Sequence, residues 1–190
     1  MPTSLEIGGV GYSIRYGWRA VVDILIACND PDLAENPQLL AEVILRILYP
    51  DCDKIPEEHL QDALKKACEF IDCGQRDDGE PKPKMIDWEQ DAPLIIPEIN
   101  KVSGREIRLD PNIHWWTVFG WFMGIGDGLL ASVLHIRKKL AKGKKLDDWE
   151  KEFLRENGDI CRLKSPCTPV SSEMLTDLVR WMEGEQKSQE

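Results

Sequence analysis

The residues whose types bear on chemistry are six cysteines, three histidines and one tight group of acids. Cys68 and Cys73 have four residues between them, and Cys161 and Cys167 have five. A zinc knuckle normally places about two residues between its thiolates, so this spacing is loose. Four such thiolates meeting in space would still hold a metal, which defines one class: a cysteine-based metal-binding regulator. Free thiols, buried or on the surface, are the simpler reading. His59, His114 and His135 are far apart and fit neither an HExxH nor an HxH pattern. His114 precedes two tryptophans, where it reads as a core or helix-start histidine rather than a general base. Asp87, Glu89 and Asp91 have no neighbouring metal-ligand types and read as the solvated first turn of a helix. Gly8-Gly9-Val10-Gly11 is a turn sequence with no helix opening behind it, so it is not a phosphate loop. No serine sits in a nucleophile elbow. The expectation is a protein that is not an enzyme and takes no metal or cofactor.

The elements that would position any site centre on Ile113 to Gly128, IHWWTVFGWFMGIGDG. Three of the seven tryptophans fall here, with Phe119, Phe122 and Met123 between them. Asp110-Pro111 reads as a helix start, a side-chain acceptor followed by a ring that needs no N–H. On the helix that follows, Trp115, Phe119 and Phe122 share one face, and Trp116, Gly120 and Met123 another. The apolar run is about half of the roughly 20 residues a membrane span needs. A core helix with one face available to a partner is the expectation.

The remaining pattern is mostly helical. Leu5, Ile7, Val10, Tyr12 and Ile14 alternate around glycines and predict a hairpin over about residues 4–15, which must lie on the helices, the default, or pair with another chain. Trp18, Val22, Leu25 and Cys28 form a helical stripe. Asn36-Pro37 opens a second helix with Leu40, Val43, Ile44, Ile47 and Leu48 on one side. Pro56 with Glu57 and Glu58 starts a third, burying Leu60, Leu64, Ala67 and Ile71, with His59 facing solvent. Residues 75–84 read as a loop. Trp88, Ala92, Ile95, Ile99 and Val102 recur at helical spacing, but Pro93 and Pro97 require a kink or a later start. Leu129, Val133, Ile136 and Leu140 predict a further helix that ends in the basic run RKKLAKGKK. Asp147 and Glu150 form a capping box before Trp149 and Phe153. A last short helix carries Met174, Leu175, Leu178, Trp181 and Met182, ahead of a disordered end. The fold class is mainly α, a single-domain bundle of about six to eight helices with an N-terminal β-hairpin. Residues 1–165 form the helical domain, and 166–190 a C-terminal extension.

With 24 Lys and Arg against 34 Asp and Glu, the formal net charge is −10. That balance disfavours a non-specific nucleic-acid binder and suits a protein that stays soluble while presenting apolar surface. Met1-Pro2-Thr3-Ser4 lacks the basic and apolar regions of a signal peptide, and no span is present, so a cytosolic protein is expected.

Three strings carry a resemblance: IDWEQDAPLIIPEINKVSG, RLDPNIHWWTVFGWFMGI and HIRKKLAKGKKLDDWEKEFLRE. With the hairpin, the YGWR-started helix and the LLAEVILRILYPD helix in the same order, the chain resembles a bacteriophage and prophage family named after "gene product fifteen". The likeness spans Leu5 to Leu163, and DWEQD (87–91) and HWW (114–116) are its most specific marks. The resemblance implies a largely helical protein of siphophage tail morphogenesis, similar to tail-assembly chaperones. Its partners would be the tape-measure protein and the tail-tube protein, in the cytoplasm of the bacterial host, with self-association into a homo-oligomer. A permanent structural tail component, such as a connector or completion protein, is the alternative. The chain departs from the family's pattern at Pro93 and Pro97 and from Pro166 onward. Aromatic residues anchor helix-in-groove recognition. The expected contact surface is therefore Trp88, Trp115, Trp116, Phe119 and Phe122, with Arg137, Lys138 and Lys139 on its rim.

Overall fold

The computed structural model describes residues 1–75 and 85–164. All but Gln75 of the expected loop over 75–84, and the expected C-terminal helix, lie outside the described residues. The chain is mainly α with a two-stranded antiparallel hairpin at its start. Strands β1 (Ser4–Ile7) and β2 (Val10–Ser13) meet at Gly8 and Gly9, whose φ values of 55° and 82° give the mirror-image turn that matches strand twist. Ile7 and Ile14 are buried, so the hairpin does lie on the helices. At the turn, a Cβ on Gly8 would stand 2.5 Å from the His59 ring, which packs there instead of facing open solvent.

Nine helices follow among the described residues: α1 (Trp18–Ala27), α2 (Pro31–Ala34), α3 (Pro37–Leu48), α4 (Leu60–Ile71), α5 (Ala92–Ser103), α6 (Trp115–Met123), α7 (Leu129–Ala141), α8 (Asp148–Glu156) and α9 (Gly158–Cys161). Their ends follow local chemistry. Asn36 caps α3, accepting from Leu39 N at 3.1 Å, and Pro37 fills the first position. Gly104 closes α5 with a left-handed φ of 69°. The proline conflict resolves as a later start: α5 begins at Ala92, where Pro93 sits in the first turn and loses no bond. Pro97 lies inside the helix, where only the bond back to the Pro93 carbonyl is forfeited.

The main core runs through α1, α3, α4, α5 and α6. α1 packs on α3 and α6, α3 on α4, and α5 on α6 and α7. A second, smaller core of Val133, Ile136 and Cys161 joins α7 to α8 and α9, with Phe153 and Leu154 against it. In α7 the buried stripe is Leu130, Val133, Ile136 and Arg137, not the expected Leu129 and Leu140, which are exposed. The stripe is rotated because Arg137 takes a core position. Among the described residues no helix is long and apolar enough to cross a membrane.

Candidate partner-binding surface

The HWW string is explained first by helix ends. α6 starts at Trp115, not at Asp110-Pro111, because His114 provides the cap: its Nδ1 accepts from Trp116 N at 3.1 Å. Its Nε2 lies 2.8 Å from the Pro2 carbonyl, so the neutral tautomer with hydrogen on Nε2 satisfies both contacts. The two indoles then reach α4. Trp115 Nε1 donates to Ile71 O at 2.7 Å, and Trp116 Nε1 to Phe70 O at 2.9 Å. Those carbonyls belong to the last turn of α4, where helical partners run out. Backbone bonds tie the starts of α1 and α6 together, Trp18 N to Ile113 O at 2.9 Å and Trp115 N to Tyr16 O at 2.8 Å. A Cβ on Gly17 would stand 2.5 Å from Pro111 O, so this approach requires glycine.

These bonds decide which expected contact residues reach the surface. Trp115 is 1% exposed and belongs to the core. Trp88, Trp116, Phe119 and Phe122 are half-buried. Trp88 meets Trp115 edge-on at 5.7 Å and Phe122 at 5.4 Å, so one aromatic layer connects the interior to the surface. Met123, at the free end of α6, is 64% exposed.

The expected basic rim separates in the same way. Lys138 is exposed. Lys139 binds Glu150 at 2.7 Å and Asp147 at 3.1 Å. Arg137 is not on a rim at all: its guanidinium lies in the interior, and all five of its N–H groups are used. It holds Asp91 in a fork, Nη1 to Oδ2 at 2.6 Å and Nη2 to Oδ1 at 2.8 Å. The other three bonds go to the carbonyls of Met85, Ile160 and Cys161 at 2.7, 2.6 and 3.2 Å. Asp91 is likewise not solvated. It is 1% exposed, and its Oδ2 also accepts from Asp87 N at 2.9 Å. The DWEQD string is therefore the acidic half of a buried clamp between the two cores. Sequence reasoning missed this pair, 46 residues apart, and the available signal was a lone arginine continuing the Leu130–Val133 stripe.

The surface with the shape of a binding site lies between α1 and α5. Trp18 and Val22 line one wall, and Trp88, Ala92 and Ile96 the other. Ile95, Ile99, Ile107 and Val118, all buried, form the base. The resulting apolar trough is shallow, about 40 Å³. A separate cleft of about 560 Å³ lies beyond the end of α1, lined by Ile26, Asn29, Asp30, Pro31, Asp87, Glu89, Gln90 and Lys164. Gln90 fixes one side of it, donating to Arg162 O at 2.8 Å and accepting from Lys164 N at 2.9 Å.

The five described cysteines are free thiols. Among the described residues no group of three or more His, Cys, Asp or Glu side chains is placed to hold a metal ion. Cys167 lies outside the described residues. Burial pushes the thiols of Cys28 and Cys73 up to about 12 and raises those of Cys52, Cys68 and Cys161, which keeps them protonated at neutral pH.

Fold and surface together define a mainly α protein with a small apolar trough between α1 and α5 and a separate acid-lined cleft beyond the end of α1. Comparison with protein-family models, with curated proteins and with solved structures returns no match.

Proposed function

We propose that the chain is a non-enzymatic binding protein that shelters apolar helical segments, the tail-assembly-chaperone role that its sequence resemblance implies. The observation that carries this reading is the α1/α5 trough. Its walls present residues at helical repeats, Trp18 and Val22 against Trp88, Ala92 and Ile96, over a base of packed isoleucines. Helix-in-groove recognition uses apolar anchor points of this kind, and a space of about 40 Å³ takes one small apolar side chain of a partner helix. The half-buried Trp88, backed by Trp115 and Phe122, is the anchor. The net charge of −10 would keep a loaded complex in solution.

In this proposal the partner is the tape-measure protein of a long-tailed phage, with the tail-tube protein following it. Several copies of the chain coat one partner in the bacterial cytoplasm. A long amphipathic helix left bare aggregates, so coating it is a physical need. Co-expression with a tape-measure fragment, followed by size-exclusion chromatography, tests the role. The fragment should become soluble and co-elute with the intact chain, and a Trp88→Asp variant should lose it. A fragment that stays insoluble with both chains would remove the chaperone reading. Stoichiometric presence in purified virions would instead favour a permanent tail component.

A further inference from the structure

The second core has an uncovered end. Leu140 follows Ile136 and Arg137 at the next helical repeat of α7, where the buried stripe would continue, yet it is 43% exposed. Trp149, in the first turn of α8, is 53% exposed and meets Phe153 edge-on at 6.5 Å, and Phe153 packs against that core. The Lys139–Glu150 ion pair, 2.7 Å long, holds the last turn of α7 to the first turn of α8, which puts Leu140 and Trp149 at the same end of the core. Lys138, Lys142, Lys144 and Lys145 flank Leu140 and lead up to Trp149 in the chain. All four are exposed, and none makes an ion pair among the described residues. In a chain of net charge −10, this is a concentration of cations beside uncovered apolar side chains. An occupant that fits it brings apolar side chains and carboxylates together.

We infer that this end of the second core is the docking site of the chain's own C-terminal segment, residues 171–185. Its apolar stripe covers Leu140 and Trp149, and its acids meet the four lysines. Composition selects this occupant first. Met174, Leu175, Leu178, Trp181 and Met182 recur at helical spacing, with Glu173, Asp177, Glu183 and Glu185 beside them. Residues 165–190 hold five acids against two bases, Arg180 and Lys187, so their charge is opposite to that of the lysine cluster. The place where the described chain ends selects it again. Cys161 is part of the second core, and Arg137 holds the carbonyls of Ile160 and Cys161. Arg137 precedes Lys142 by five residues, about 7.5 Å along α7. Residues 165–173 reach up to about 30 Å when extended, which spans that separation with room to spare. A tether of this length gives an effective concentration on the order of millimolar, so the chain's own segment outcompetes that of a second copy in dilute solution. The inference stands apart from the α1/α5 trough and from the chaperone role.

Hydrogen–deuterium exchange and carbodiimide cross-linking, both on the full chain, test this. Exchange over residues 171–182 should be about tenfold slower than in a Leu140→Asp/Lys142→Glu/Lys144→Glu variant. The three substituted side chains are exposed, so this variant keeps the fold. High salt should narrow the difference. Adding Glu183→Lys/Glu185→Lys to a Lys142→Glu/Lys144→Glu chain should restore the slow exchange, a recovery that general loss of structure would not give. Carbodiimide should join Lys142, Lys144 or Lys145 to acids of residues 173–190. In an equal mixture of isotope-labelled and unlabelled chain, the joined peptides should be isotopically unmixed. Fast exchange over 171–182 in the unsubstituted chain, or slow exchange that survives the triple substitution, would overturn the inference. Links from these acids to lysines elsewhere would place the segment on another face, with the same consequence. Isotopically mixed links would assign the site to a second copy's segment and overturn the tethered arrangement.

Discussion

Replacing Arg137 with methionine removes the clamp between the two cores and keeps the aliphatic volume. The substitution deletes five hydrogen bonds, two of them to Asp91 at 2.6 and 2.8 Å. It leaves a carboxylate that is 1% exposed with the Asp87 amide as its remaining hydrogen-bond donor among the described residues. It also strips the carbonyls of Met85, Ile160 and Cys161 of a donor. Breaking a buried ion pair from one side typically costs about 3–5 kcal/mol, chiefly the penalty on the abandoned charge. With a urea slope of about 2 kcal/mol/M, a loss of 4 kcal/mol lowers the unfolding midpoint by about 2 M. Urea titration followed by tryptophan fluorescence and far-UV circular dichroism measures this. The double variant Asp91→Leu/Arg137→Met removes both charges and should recover at least half of the loss. The reasoning fails if Arg137→Met shifts the midpoint by less than about 0.5 M, or if the double variant is no better than the single one.

Three further outcomes follow from local geometry. Gly17→Ala places a methyl 2.5 Å from the Pro111 carbonyl, and should cost about 1–3 kcal/mol by thermal or urea unfolding; Gly9→Ala, with nothing within 4 Å of the added carbon, should cost only about 1 kcal/mol of backbone strain. The hydrogen bonds of the Arg108 guanidinium hold the Glu106 carboxyl down at about 2, from an ordinary 4.5. Its folded-state value is depressed, so its contribution is complete above the ordinary value and is lost as pH falls from about 4.5 toward 2. Glu106→Gln should therefore lie closer to the unsubstituted chain in urea midpoint at pH 2.5 than at pH 6, and a constant gap would contradict this. Cys28 and Cys161, buried and with raised thiol values, should be alkylated by iodoacetamide, as located by peptide mass spectrometry, only after denaturant is added; alkylation of either in native buffer would disprove this.

Much of the fold was legible because helix ends carry local chemistry. Asn36-Pro37, the Gly8-Gly9 turn and Gly104 each mark a boundary by what their own backbone must do, and each stands where the pattern put it. The start of α6 was misplaced because Asp110-Pro111 and His114 both offer a cap within a few residues. The Pro2 carbonyl, 112 residues away, fixes the histidine in place together with the Tyr16 and Phe70 rings packed on it. The candidate surface was less legible for the same reason. Half-buried and fully buried tryptophans look alike in a helical repeat, and Trp115 turned inward because an α4 carbonyl was there to receive its N–H. A basic run reads as solvent-facing unless its buried acid is known, so Arg137 was assigned with Lys138 and Lys139. The trough itself pairs residues of α1 with residues about 70 positions later, a juxtaposition that no periodicity announces.

Hydrogen–deuterium exchange on the full chain, with and without a helical tape-measure peptide, tests the central claim most directly. The account predicts added protection over residues 18–29 and 87–99, on the two walls of the trough, with little change on the outer face of α3 and in α8. Protection confined to α3 or α8, or none at saturating peptide, would contradict it.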